Sequence, residues 1–338
     1  MEQHSRITAG TVLLTAGLLT LSYLIADVLL LVFAAVLIAV GLDGAARAMA
    51  RHLPVSRGWN IVIVVAGLFA LVIGAIVLTA RRLVQQFQEI SETVISFVER
   101  AREWLADLGA TEYLEQMNED GGDLAGTAGD VAGYVTTFGM GAAGAISNII
   151  ILIVMTLFIA ASPNLYRGGL VRLVPPVRRY VAEDTLSALA HGLRWWFLGQ
   201  LASMALLGVT VGLGLFLMGI DLWFALAVLT ALLTFIPFIG PLIATVPIVA
   251  VSFAEGMQTG LIVLAGYIVI QNVEGSIIVP MIQHKAVNLA PALLIAVQVL
   301  LSLLFGLVGL ILAAPLTVVA MISVQKLWIE HTLGEKVT

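Results

Sequence analysis

Long apolar runs recur along the sequence, and they constrain the fold more than any other feature. They occupy residues 7–42, 59–80, 146–161, 197–218, 222–253, 257–279 and 291–325. A helix needs about 20 apolar residues to cross the hydrocarbon core of a bilayer. Only 11% of the residues are charged, against about 25% in soluble domains. The sequence therefore predicts an all-α, multi-pass protein of the cell membrane, and not a β-barrel, whose strands would alternate in polarity.

The positions of the runs predict about eight spans. The first run, Ile7–Leu42, is too long for one span, so we divide it near Asp27 into two helices. A single long tilted helix is the alternative. The predicted regions are three N-terminal spans (1–80), an acidic helical insert (81–145), the fourth span (146–162), a basic connector (163–194) and a C-terminal membrane domain with a short tail (195–338).

Lysine and arginine residues lie between alternate spans and predict the orientation. They occur in loop 43–58, in the connector and in the tail, as Arg47, Arg51, Arg57, Arg167, Arg172, Arg178, Arg179, Arg194, Lys326 and Lys336. Such residues favour the cytoplasmic side, so both termini are predicted to be cytoplasmic. The insert, with eleven of the 21 acidic residues, is predicted to lie outside. In the connector, Pro175–Pro176 and Trp195–Trp196 predict the start and the interfacial anchor of an amphipathic helix.

A heptad-like pattern in the insert predicts an amphipathic helix. Its apolar positions are Phe87, Ile90, Val94, Phe97, Ala101, Trp104 and Leu108. Steps of three and four residues place these side chains on one helical face. That face docks on the chain's own membrane domain, lies on the membrane surface or pairs with a second subunit. This face and the GxxxG formed by Gly208 and Gly212, which is predicted to be a helix packing site, together predict a homo-oligomer.

The run FIPFIGPLIATVPIV, residues 235–249, breaks its own helix. It contains Pro237, Gly240, Pro241 and Pro247, although a proline costs roughly 3 kcal/mol in a helix interior. Lipid cannot hydrogen-bond a freed carbonyl, so broken backbone at membrane depth needs protein or water beside it. Residues 222–253 are therefore predicted to be a kinked span, or a re-entrant hairpin of two half-helices beside a polar cavity.

A second interruption, LFGLVGLILAAPL at 304–316, carries Gly306, Gly309 and Pro315. Paired Gly/Pro breaks in membrane helices point to a transport site. Kinks that serve only helix packing are the alternative interpretation.

The most polar membrane segment lies between the two breaks. Gln271, Asn272 and Glu274 follow one another closely, and an ionisable group inside a span by default marks a pathway. Glu274 is predicted to exchange a proton or bind a cation such as Na⁺, with helix–helix bonding as the alternative. Gln298 and Ser302 on the last helix are predicted to join helices by hydrogen bonds.

The sequence lacks the residues or motifs that several kinds of chemistry require. The chain has no cysteine, which excludes disulfides and thiolate catalysis. It contains no Walker A motif, HExxH or GxSG, so neither ATP hydrolysis nor an intramembrane enzyme is expected. The glycine-rich stretch 121–133 is acidic and is interpreted as a linker. We expect no cofactor, metal or nucleic acid partner. The expected partners are the bilayer, a transported solute or monovalent cation, and further copies of the chain.

Taken in order, FIPFIGPLIATVP, QNVEGSIIVP, VNLAP and LFGLVGLILAAPL resemble the signature blocks of the autoinducer-2 exporter family, also described as PerM-like permeases. The resemblance implies eight membrane helices with cytoplasmic ends, and export of small polar molecules such as autoinducer-2. Some members are described as sodium(lithium)/proton antiporters. The family's motif positions fall on Pro237, Gly240, Pro241, Pro247, Gln271, Glu274, Pro280, Leu289, Pro291, Phe305, Gly306, Gly309 and Pro315. The chain departs from the family between Pro280 and Val287. Family members usually have a glycine in this loop, whereas this chain has Gln283, His284 and Lys285.

The sequence thus favours a secondary transporter that exports a small polar solute through a cavity formed by broken helices. The first alternative is a sodium(lithium)/proton antiporter that uses Glu274. The second is a non-transporting, oligomeric membrane scaffold.

Overall fold

The computed structural model describes residues 25–49, 85–101, 103–104, 107, 146–278 and 290–334. All regular elements within these ranges are helical, which confirms the predicted fold class. The helices are α1 (Ala26–Met49), α2 (85–101), α3 (Ile146–Ala161), α4 (Pro163–Arg172), α5 (Arg179–Leu217), α6 (Trp223–Thr234), α7 (Ile239–Ala254), α8 (Met257–Val273) and α9 (Pro291–Ser323). A 3₁₀ turn, Pro176–Arg178, precedes α5, and π-helical turns extend α8 over Glu274–Ile278 and α9 over Val324–Glu330.

Three of the described helices, α1, α5 and α9, are long and apolar enough to cross a membrane. A fourth span results if α3 and α4, which meet at 82°, form one bent span. The predicted fourth span coincides with α3. The predicted spans at 7–25 and 59–80 lie outside the described residues, so the total of eight stays a prediction.

Helix α5 corrects one boundary of the sequence analysis. The predicted amphipathic helix and the fifth span form one continuous helix of 39 residues, about 58 Å long at 1.5 Å per residue. The basic connector lies at its start, and the loop after its end holds Asp221, whose carbonyl accepts a hydrogen bond from Gln86 Nε2 of α2 at 3.3 Å. The connector and helix α2 therefore lie at opposite ends of α5. Which end faces the cytoplasm stays a prediction.

The described helices enclose two main apolar cores. The first core joins α2, the C-terminal half of α5, α6, α7 and α8. The second joins α1, α9 and the N-terminal half of α5, around Trp196, and the Arg194–Asp43 salt bridge at 3.0 Å ties α5 to α1 beside it. Trp196 thus packs inside the protein and does not serve as the interfacial anchor predicted from the Trp195–Trp196 pair.

Helix α2 places the first part of its apolar face against the first core. Phe87, Ile90 and Val94 are buried there, with Phe97 packed beside them. Ala101 is half-buried and Trp104 is 63% exposed, whereas Leu108 lies outside the described part of the chain. Three roles were predicted for this face. Its first four positions dock on the chain's own helices, which is the first of these roles.

Helices α6 and α7 form a hairpin of two short helices in the segment predicted to be broken, and its re-entrant placement in the membrane stays a prediction. They have 12 and 16 residues, roughly 18 and 24 Å of helix, and each is shorter than a bilayer core of about 30 Å. The two helices pack against each other. Gly208 and Gly212 of α5 face Ala231 and Ala227 of α6 so closely that an added Cβ would overlap them, which confirms the predicted packing site.

The second break bends α9 at Gly306, which has φ 60° and ψ −144°. A Cβ on Gly309 would overlap the carbonyl oxygen of Leu301, eight residues earlier. In a straight helix these residues would be about 12 Å apart. The chain therefore turns sharply here, and α9 consists of two helical arms.

Candidate functional site

A cavity of about 440 Å³ lies where the two cores meet. Four parts of the chain form its wall: one face of α5, the tip of the α6–α7 hairpin, the end of α8 and the start of α9. The lining residues are Trp196, Gly199, Gln200, Ser203, Thr234, Pro237, Phe238, Pro241, Gln271, Glu274, Gly275, Pro291 and Leu294. The size falls within the range of about 300–1,000 Å³ that is usual for small-molecule sites.

The hairpin tip contributes a strained turn to this wall. Phe238 has φ 65° and ψ −55°, and the Ile239 N–H donates to the Pro237 carbonyl at 2.8 Å. These features define a γ-turn with a positive φ at its centre, a rare and strained conformation. Phe238 is the one described non-glycine residue with a positive φ, and its side chain is 50% exposed. Strain of this kind persists only where the surroundings hold it.

Side chains from three other helices donate hydrogen bonds to carbonyl groups in the break or beside it. Gln200 Nε2 of α5 donates to the Thr234 carbonyl. Gln298 Nε2 of α9 donates to the Pro237 carbonyl at 2.9 Å.

The third anchor comes from α8, because the Tyr267 hydroxyl donates to the Pro241 carbonyl at 2.8 Å. Thr245 Oγ1 donates to the same oxygen at 2.9 Å. An unsatisfied carbonyl in a dry interior costs several kcal/mol. Gln200 and Gln298 therefore allow backbone to be broken here, whereas Tyr267 ties α8 to α7 beside the break.

Glu274 brings a charge to the cavity. It lies where α8 changes from α-helical to π-helical geometry, a change often found at functional sites. The residue is only 7% exposed, and it lines the cavity together with Ser203 of α5. Among the described wall residues it is the one that is charged.

Two further wall residues carry buried donors that have no partner. These are Trp196 Nε1 and Gln271 Nε2, which form no hydrogen bond among the described residues and expose almost no surface. Buried donors are normally satisfied, so both nitrogens are exceptions in this structure. With the Glu274 carboxylate and the Ser203 hydroxyl, the wall offers both donors and acceptors.

The structure brings only some of the predicted pathway residues together. Pro237, Pro241, Gln271, Glu274 and Pro291 line the cavity. The other described positions do not line the cavity. Gly240 and Pro247 lie in α7, and Asn272 lies on an exposed face of α8. Gly306, Gly309 and Pro315 lie in α9. Pro280 lies outside the described residues. A pathway role for each of these residues stays a prediction.

Sequence reasoning missed the face that α5 turns to the cavity. Trp196, Gly199, Gln200 and Ser203 are spaced by three, one and three residues, which is one side of a helix. The polar pair within an otherwise apolar span was a usable signal. Phe238, Thr234 and Tyr267 had no such signal, because their roles depend on contacts between distant segments.

Comparison with known proteins agrees with this architecture. Residues 12–328 match the family described as AI-2E family transporter. YhhT of Escherichia coli (strain K12) is 28% identical over 219 residues, which cover 60% of this chain and 57% of YhhT. The AI-2 transport protein TqsA of the same organism is 29% identical over 156 residues, or 46% of this chain and 41% of TqsA. The matches thus span about half the length of these relatives. The match over nearly the whole chain shows that this multi-pass membrane protein belongs to the AI-2E transporter family.

Proposed function

We propose that this protein is a secondary membrane transporter that exports a small polar solute of the autoinducer-2 kind through the cavity between the two cores. The observation that carries the proposal is the buried Glu274 carboxylate in a wall formed by a broken helical hairpin. Broken helices and intramembrane carboxylates are typical of transport sites. The name of TqsA, an AI-2 transport protein, supports the solute class.

The chemistry of the wall favours a neutral solute that carries hydroxyl groups. Glu274 offers carboxylate oxygens as acceptors, and Gln200, Ser203 and Gln271 add amide and hydroxyl groups to the wall. An anion would meet the carboxylate without a cationic side chain among the described wall residues. Hydroxyl groups satisfy donors and acceptors alike.

The test is solute flux in proteoliposomes that contain the full chain. Glu274→Gln removes a charged acceptor, and hydrogen bonds to charged groups contribute about 1.5–3 kcal/mol, so apparent affinity for labelled autoinducer-2 should fall by roughly 10- to 150-fold. Glu255→Gln is the matched control, because Glu255 is exposed at the end of α7. Equal flux in both variants and the parent protein would remove Glu274 from the mechanism.

Two alternative functions are tested in the same vesicles. A sodium(lithium)/proton antiporter predicts that a sodium pulse changes the signal of an enclosed pH dye, and that Glu274→Gln abolishes this change. We favour the solute, since one carboxylate and one serine hydroxyl form a sparse ligand set for a sodium ion. A membrane scaffold predicts no flux of either kind.

The orientation and the assembly complete the proposal. We place both termini in the cytoplasm on the basis of the arginine-rich connector, and the α2 end of α5 outside. A homo-oligomer would use the exposed end of α2 near Trp104, because the residues earlier on that face already pack within the chain.

A further inference from the structure

The Pro237 carbonyl at the hairpin tip accepts two hydrogen bonds. One comes from the Ile239 N–H and closes the γ-turn. The other comes from Gln298 Nε2 at 2.9 Å, 61 residues away in the sequence. Gln298 is fully buried on the first arm of the bent helix α9. The strained γ-turn is therefore hydrogen-bonded to α9 through Pro237, the residue immediately before Phe238 at the centre of the turn.

Gln298 does not belong to the cavity wall, but its partner does. Pro237 and Phe238 line the cavity, and the Phe238 side chain is half-exposed. Gln298 therefore acts on a bound solute only indirectly, either through the tip or through Leu294, which lies one turn earlier on the same arm and lines the cavity. This separates Gln298 from Gln200, which holds Thr234 and also lines the cavity itself.

From these contacts, we propose that Gln298 is a positioning residue that holds the strained tip, and with it the Phe238 ring, against the cavity. The amide is suited to this task, because the neutral side chain can donate to a carbonyl without bringing a charge into the core. Loss of the donor leaves the γ-turn with its backbone bond alone, and the tip should then open more often. The proposal deepens the proposed function, since it concerns the wall of the same cavity.

The absence of cysteine from the chain makes the tip directly measurable. Ile236 lies beside Pro237 at the tip and is 1% exposed. Ile236→Cys therefore introduces a single buried thiol, and its rate of reaction with a maleimide reports how often the tip opens. In the Ile236→Cys background, Gln298→Met removes the donor at nearly constant volume. We expect labelling to become about fivefold faster, the factor that corresponds to the net contribution of one hydrogen bond.

Thr317→Val is the matched control. Thr317 is also buried on α9, and its hydroxyl donates to the Ala313 carbonyl of the same helix at 2.8 Å. This variant likewise loses a buried hydrogen bond without touching the tip. The proposal would be overturned if Gln298→Met left the labelling rate unchanged, or if Thr317→Val raised it equally, because the effect would then be absent or a general loosening.

A second variant covers the case in which Gln298→Met fails to insert. Gln298→Asn keeps the amide but is one methylene too short to reach the carbonyl, so it should also accelerate labelling. Because labelling needs no solute, the outcomes stay separate from the transport assay. Faster labelling without flux in the parent protein would reject the proposed function and keep the positioning role. Flux in the parent protein with unchanged labelling would reject the positioning role alone.

Discussion

Gly240 lies at the point where the two arms of the α6–α7 hairpin touch. A Cβ at this position would overlap the Leu233 carbonyl oxygen and lie 3.3 Å from the Thr234 nitrogen. Both neighbours are backbone atoms, so no rotamer change can make room. Gly240→Ala therefore has to push the arms apart, and with them the tip that carries the strained turn.

The cost can be worked out from opposing contributions. Overpacking of a well-packed interior typically costs about 1–3 kcal/mol, and a backbone clash belongs to the upper half of that range. Alanine is preferred over glycine in a helix interior by about 1 kcal/mol, but Gly240 is only the second residue of α7, where the gain is smaller. We expect a net destabilisation of about 2 kcal/mol, or about 3 °C in Tm for a chain of 338 residues.

Thermal unfolding in detergent, followed by solute flux, measures both consequences. Gly266→Ala is the matched control, because Gly266 lies in α8 and has nothing within 4 Å of an added Cβ. It should leave Tm unchanged or raise it slightly. Equal melting temperatures for the two variants would refute the contact between the arms on which the hairpin depends.

Two further predictions concern the second break and the insert. Gly306→Ala should lower stability by about 1–3 kcal/mol through backbone strain alone, because φ 60° and ψ −144° suit glycine and no atom crowds the position; an unchanged Tm would mean that α9 is not bent there. Ile90→Ala should cost about 2–5 kcal/mol as a large-to-small core change, whereas Ile95→Ala, on the exposed side of α2, should cost little. A similar Tm for the two isoleucine variants would show that α2 does not dock on the first core.

The sequence could predict the membrane class and both breaks, because these depend on local properties. Apolar run length selects helices, and the residues around Pro237 and Gly306 interrupt them whatever lies nearby. The place of Glu274 at a cavity was also predictable, since burial of a carboxylate in an apolar segment demands a polar surrounding. Each of these inferences rests on one segment of the chain.

The details of the wall depend on contacts between segments and could not be predicted in this way. A change in polarity near Trp195 suggested a helix boundary, but polarity alone does not end a helix, and α5 continues without a proline from Arg179 to Leu217. Neighbouring helical residues point about 100° apart, so Trp196 can face the core while Trp195 does not. Gln298 was predicted to join helices, yet its partner at Pro237 became visible only in the fold.

The two breaks are built alike, and this bears on whether they are mere packing kinks. Gly240 abuts the carbonyl of Leu233, and Gly309 abuts that of Leu301, so each break relies on a glycine at the same kind of close backbone approach. Packing alone would account for those two contacts. It would not account for Gln298, which lies on the first arm of one break and bonds the strained tip of the other. That bond couples the two breaks at the edge of the cavity, so a movement of either arm must change the shape of the wall.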